Sequence, residues 1–225
     1  MTAGLTLAIE SSTYLASCAL FVGAEPHPDA ELEVPTRGAT GERLLPAIAE
    51  LLRNAGISPR ELTRVICGAG PGSFTSLRVG ASLAKGFSWS AGIPLVSMPS
   101  LPLLAVSDPV PQAEGRYLAI VDAMRDERFA QGLEIGADGS LTMITAPMRV
   151  PVAEVERLAN RLQARTIGPG AGVSIVQRPH ARGAMRLPDQ LLREVDVAGW
   201  EPEYGRLAEA QVKWEAAHGR SLGAT

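Results

Sequence analysis

Short apolar runs separated by polar turns set the rhythm of this chain. Residues 5–9 (LTLAI) and 15–22 (LASCALFV) are apolar runs of strand length, with the polar turn Glu10-Ser11-Ser12-Thr13 between them. Runs bounded in this way predict a β-hairpin. The pattern returns past the midpoint, where residues 117–121 (YLAIV) and 128–135 (RFAQGLEI) flank a polar turn at 122–127. A segment of helical period follows each hairpin. Residues 40–55 put Leu44, Ile48, Leu51 and Leu52 on one face, with Thr40 expected as the N-cap and Gly56 as the stop. Residues 152–164 put Val152, Val155, Leu158 and Leu162 on one face.

After each helix a short apolar strand runs into a glycine loop. The first reads Arg64-Val65-Ile66-Cys67-Gly68-Ala69-Gly70-Pro71-Gly72, the second Arg165-Thr166-Ile167-Gly168-Pro169-Gly170-Ala171-Gly172. Hairpin, helix, strand and glycine loop therefore recur in one order, which predicts a duplicated α/β lobe. Strands alternating with helices imply mixed sheets covered by helices. The boundary is expected within residues 97–116, where Pro99, Pro102, Pro109 and Pro111 break periodic structure, giving lobes at 1–105 and 106–225. The C-terminal tail is expected to have the option of packing back on the first lobe. Two such lobes suggest the architecture shared by actin, sugar kinases and Hsp70, an expectation from the order of elements alone.

The sharpest local signal is residues 68–80, GAGPGSFTSLRVG, between a strand and a helix reaching about Ser90 and ended by Gly92 and Pro94. Glycines let a backbone turn sharply, and free N–H groups at a helix start attract anions. Gly70, Gly72, Ser73 and Thr75 are thus candidates for nucleotide or phosphate binding, with Arg78 one turn further on. Gly-Pro-Gly loops also serve simply to turn the chain, and Ser73 or Thr75 can cap the helix. The loop is not a Walker A motif, because Lys85 lies in Ala84-Lys85-Gly86. Glu10 and Ser11, in the first turn, are further candidates for a magnesium or phosphate shell. That turn lacks a glycine, which makes close backbone approach harder. Asp122, Arg125, Asp126, Glu127 and Arg128 read as a solvated charge cluster, Asp122 being the carboxylate a transferase would need.

Composition narrows the function. Among 225 residues, 21 Lys+Arg stand against 24 Asp+Glu, a net charge of −3, so a free-standing nucleic-acid binder is disfavoured. No apolar run approaches bilayer length, and the first residues lack a basic leader, so a soluble, cytoplasmic protein is expected. Cys18 and Cys67 sit in apolar strands and read as buried free thiols. His27, His180 and His218 are too scattered for a zinc peptidase. No Ser–His–Asp set or carboxylate pair can be assembled from spacing. On the residues alone, a small ATP-dependent phosphotransferase of the sugar/acetate kinase superfamily and a non-catalytic partner subunit both stay open.

The strings LAIESSTYLASCAL, GERLLPAIAELL, GAGPGSFTSLRVGASLAKGFSWSAGIPLVSMPSL and VDAMRDERFAQGL resemble the successive signature blocks of the TsaB (YeaZ) family. Residues 201–215, with Pro202, Tyr204 and Arg206, resemble its C-terminal block. The resemblance implies a two-lobed actin-like ATPase (RNase H-like) fold and a role in forming threonylcarbamoyladenosine in tRNA. It further implies a chain with no catalytic or metal-ligating residue, which scaffolds and activates a TsaD-like catalytic paralogue. A TsaE-like ATPase joins that pair, tRNA is held through the complex, and ATP and a metal belong to the partner subunits, with no cofactor on this chain. The partner interface is expected on the helix after the glycine loop, at Leu77, Arg78, Leu83 and Lys85, and the isolated chain has the option of a homodimer. Three strings depart from the family pattern. Glu10-Ser11-Ser12 replaces Asp-Thr-Ser/Thr, Thr40-Gly41-Glu42 replaces His-Ser-Glu, and Ser76 follows Thr75 where glycine is usual.

Overall fold

The computed structural model describes residues 4–36, 43–108 and 112–205. The first lobe opens with a meander of β1 (Leu5–Glu10), β2 (Leu15–Val22) and β3 (Glu25–Pro35). Helix α1 (Leu44–Asn54), β4 (Leu62–Gly68), α2 (Phe74–Ala91), β5 (Leu95–Met98) and α3 (Ser100–Val106) follow. The second lobe contains β6 (Gly115–Asp122), β7 (Glu127–Ile135), β8 (Leu141–Met143), β9 (Met148–Pro151), α4 (Val152–Leu162), β10 (Arg165–Gly168) and β11 (Ile175–Val176). A 3-10 turn, Ala181–Arg186, then leads towards β12 (Arg193–Val195).

The strands form two mixed sheets, ordered β12-β5-β4-β1-β2-β3 and β11-β10-β6-β7-β8, with β9 paired to β7. In each, a hairpin is joined by a parallel strand, β4 beside β1 and β10 beside β6. The chain returns at the end to the first sheet, where β12 pairs antiparallel with β5.

Strand β1 shows why its sequence is continuously apolar. Side chains alternate across a strand, so a strand covered on both faces needs apolar residues at every position. Leu7 and Ile9 join Leu44, Ile48, Leu51 and Leu52 of α1 in one core. Ala8 faces the other way, into a core shared with Leu101, Leu103 and Leu104 of α3 and with Tyr117, Ala119 and Val121 of β6. The second sheet turns Leu118 and Ile120 outward beneath Leu158 and Ala159 of α4.

Several expectations change in the fold. Thr40 lies outside the described residues, and α1 begins at Leu44 after Arg43. Strand β3 was not anticipated, because EPHPDAELEVP carries three prolines and several charges, composition tolerated only on an edge strand. The proline-punctuated segment 97–116 contains α3, a buried helix between the sheets. Pro102 fits there because it lies in the first turn, where amide groups lack helical partners. The second glycine loop leads to β11 rather than to a helix, so the two lobes are unequal copies. Cys18 and Cys67 are buried and free, and burial pushes both thiols up.

The 3-10 turn is pinned between the lobes. Ala181 N–H donates to Ser17 Oγ at 3.0 Å, and His180 N–H donates to Ser107 Oγ at 2.8 Å. His180 Nδ1 accepts the Arg182 N–H at 3.0 Å. Burial, helped by the Arg182 charge, lowers the His180 pKa from 6.5 to about 4, outweighing Glu33 at 3.8 Å. Between those values the unfolded imidazole holds a proton that the folded one refuses, so stability falls as pH drops from 6.5 towards 4. His180→Asn keeps a side-chain acceptor for the Arg182 amide. It is expected to lose less stability than wild type between about pH 7 and 5 in urea unfolding, and an equal loss would disprove the assignment.

Candidate functional site

Strand β1 ends at Glu10, and this carboxyl is buried, 1% exposed, at the meeting of three segments. Glu10 Oε1 accepts the Ser12 N–H at 2.6 Å, and Oε2 accepts the Ser100 hydroxyl at 2.9 Å. Ser100 opens α3, and its Oγ accepts the Gly70 N–H at 3.1 Å while its own N–H donates to Gly70 O at 3.0 Å. One side chain thus ties the first turn, the glycine loop and α3. Burial raises the Glu10 pKa above its ordinary 4.5, opposed by the hydrogen bonds from Ser12 and Ser100.

The glycine loop lies on this turn with no room to spare. A Cβ at Gly68 would stand 2.1 Å from Glu10 Oε2, and one at Gly72 would stand 2.1 Å from Ser12 O. The Ser73 N–H donates to that same Ser12 carbonyl at 2.7 Å. From outside, the segment before Gly205 lies across the loop. Glu203 N–H donates to Ala69 O at 2.7 Å, and Glu203 O would stand 2.5 Å from a Cβ at Gly70, where φ is +87°. The close approaches that glycine permits are made here by the chain's own carbonyls and carboxylate.

Glu10, Ser11, Gly70, Gly72 and Ser73 therefore do come together. Ser11 and Ser12 are buried, and neither hydroxyl has a hydrogen-bond partner among the described residues. Ser73 holds the N-cap position of α2, but its hydroxyl reaches Ser76 Oγ at 3.0 Å rather than a backbone amide. Ser76 Oγ continues to Thr36 Oγ1 at 2.8 Å. Thr75 stands exposed in the first turn of α2.

Helix α2 divides the other candidates. Leu77, expected at the partner interface, is 0% exposed in the free chain, on the face turned to the glycine loop. Leu83 is half-buried, packed with Val79 and Phe87 against the first core. Arg78 is exposed, its guanidinium 5.5 Å from the Phe74 ring centre. Lys85 reaches Glu201 at 3.8 Å. The outer surface of the two helices also carries Leu45 of α1, 49% exposed, and Trp89 of α2, 74% exposed.

The second hairpin turn is a solvated charge cluster, with Arg128 2.8 Å from Asp122 and Arg149 3.4 Å from Glu127. It meets the first turn where the Tyr14 hydroxyl donates to Met124 Sδ at 3.0 Å. Sequence reasoning missed Ser100, which has no motif and sits between prolines. It also gave no role to Glu203. Among the described residues, no three His, Cys, Asp or Glu side chains converge as metal ligands.

Two mixed sheets, each a hairpin with a parallel neighbour under helices, define the duplicated actin-like, RNase H-like α/β class. Comparison with known proteins refines this. Residues 39–167 match the model of the family described as TsaD: tRNA N6-adenosine threonylcarbamoyltransferase. A Bacillus subtilis protein named tRNA threonylcarbamoyladenosine biosynthesis protein TsaB is 27% identical over 92% of this chain and 96% of its own. A Haemophilus influenzae protein of the same name is 35% identical over 56% of this chain and 52% of its own. The structure titled YeaZ from Pseudomonas aeruginosa superposes with a TM-score of 0.67 at 21% identity, covering 89% of this chain and 99% of that one. The chain belongs to this family, on its TsaB (YeaZ) branch.

Two substitutions probe the site. Gly72→Ala forces Cβ into the Ser12 carbonyl and is expected to destabilise by roughly 1–3 kcal/mol, read from urea unfolding. Glu10→Gln can donate to Ser100 Oγ while still accepting from Ser12. The raised pKa of Glu10 means the unfolded carboxyl ionises first, so its contribution is complete below pH 4.5 and is lost as pH rises. Glu10→Gln is therefore expected to gain stability over wild type between about pH 5 and 8. No gain would show that the carboxyl is ionised at little cost.

Proposed function

We propose that this chain is the non-catalytic partner subunit of a complex that transfers a threonylcarbamoyl group to the anticodon-adjacent adenosine of tRNA. It scaffolds and activates a TsaD-like catalytic subunit, with which a TsaE-like ATPase associates. The names of its relatives place them in threonylcarbamoyladenosine biosynthesis, which supports the pathway. The observation that carries the scaffold role is the closed glycine loop. In a phosphotransferase those glycines leave backbone amides open to a phosphate, whereas here Ser12, Glu10 and Glu203 take up the approaches.

The outer surface of α1 and α2 supplies the contact. Trp89 and Arg78 are of the types enriched in interface hot spots, and Leu45 and Lys85 add apolar area and charge around them. In the absence of its partner the same face serves a homodimer. The tRNA is held by the other subunits, in keeping with a net charge of −3.

Reconstitution tests this. Threonylcarbamoyl transfer by the TsaD-like and TsaE-like subunits is expected to require this chain. Trp89→Glu is expected to weaken co-purification with the TsaD-like subunit by at least about tenfold without loss of folding. Turnover of magnesium-ATP by the isolated chain would favour a phosphotransferase instead, and transfer proceeding unaided would refute the scaffold.

A further inference from the structure

Beside the closed loop, α2 and the C-terminal segment enclose a cavity of about 210 Å³ lined by Phe74, Arg78, Ser82, Lys85, Glu201 and Tyr204. Phe74, Arg78, Ser82 and Lys85 follow helical spacing, so all four lie along one stripe of α2. The far wall is held in place by its own contacts. The Tyr204 ring packs against Phe74, tilted by 49° with centres 4.6 Å apart, and the Tyr204 hydroxyl donates to Glu201 Oε2 at 2.7 Å.

Among the described residues, charge in this slot is unbalanced: two cations, Arg78 and Lys85, line it with one carboxylate, that of Glu201, which is 69% exposed and 3.8 Å from Lys85. Arg78 has no ion pair among the described residues, and its guanidinium leans over the Phe74 ring. An ion pair so long and so exposed is weak, so Glu201 is easily exchanged for another carboxylate.

We propose that this slot receives an Asp or Glu side chain of the TsaD-like partner, which bridges Arg78 and Lys85 and takes the place of Glu201 on Lys85. The inference rests on the scaffold reading and adds the chemistry of the contact. Arg78 offers a planar fork suited to a carboxylate, Lys85 a point charge one helical stretch away, and Ser82 a hydroxyl between them. A docked partner excludes water from the slot, which strengthens the incoming ion pair relative to the exposed one it replaces. Glu201 acts as a resident competitor: it keeps Lys85 paired in the free chain and lowers partner affinity by its own presence.

Calorimetric titration with the TsaD-like subunit separates the outcomes. Glu201→Gln, at an exposed position, is expected to tighten binding by about two- to fivefold. Arg78→Gln and Lys85→Gln are each expected to weaken it by about tenfold or more and to reduce its salt dependence. Unchanged affinity in all three variants, with wild-type binding intact, overturns the carboxylate slot and leaves the scaffold reading standing. Weaker binding by Glu201→Gln also overturns it, because Glu201 would then be a contact. Absence of wild-type binding defeats both.

Discussion

A carboxyl group sealed inside a small protein has to be given hydrogen bonds by whatever surrounds it, and that demand organises this molecule around Glu10. Its two oxygens take a backbone N–H from the first turn and a hydroxyl from the start of α3. Ser100, so engaged, is also bonded to both backbone groups of Gly70. The glycine loop must then lie where a side chain at Gly68 or Gly72 would collide with Glu10 or Ser12. The order of cause is chemical: a desolvated carboxyl needs donors, the donors come from three chain segments, and glycine lets those segments meet.

The functional consequence follows from what such a meeting leaves outside. A strand–glycine loop–helix unit ordinarily offers amides to a phosphate. Here the Ser73 amide is spent on Ser12, and Glu203 lies over Gly70. Outside the loop, Leu45 on α1 and Arg78 and Trp89 on α2 stand exposed, with Lys85 half-buried. A glycine loop covered by its own chain, beside helices with exposed apolar and charged side chains, is what the proposed partner role asks for.

Much of the fold was legible because it is local. The two hairpins, the apolar face of α1 and the stop of α2 at Gly92 all follow from residues within a few positions of each other. Gly92 adopts the left-handed conformation that a helix end requires, with φ of +63°. Edge strand β3 escaped notice because burial of one side against β2 overrides its poor strand composition. Helix α3 escaped because prolines read as breakers, and only its position between two sheets reveals them as tolerated. The site residues were identified singly, yet Glu10 was read as a candidate for a magnesium or phosphate shell, when its partner Ser100 stands 90 positions away in sequence.

From sequence alone came the duplicated order of elements, the family resemblance, the α1 core face and the glycine loop itself, but not its partners Ser100 and Glu203. The features read this way depend on period, turn chemistry and motif, which a chain carries along its length. Tertiary structure alone decided that Leu77 points inward while Arg78 and Lys85 point outward, that β12 returns to the first sheet, and that Glu203 covers the loop. Each of these is a contact between distant segments, and no periodicity encodes which of many apolar or polar surfaces will meet.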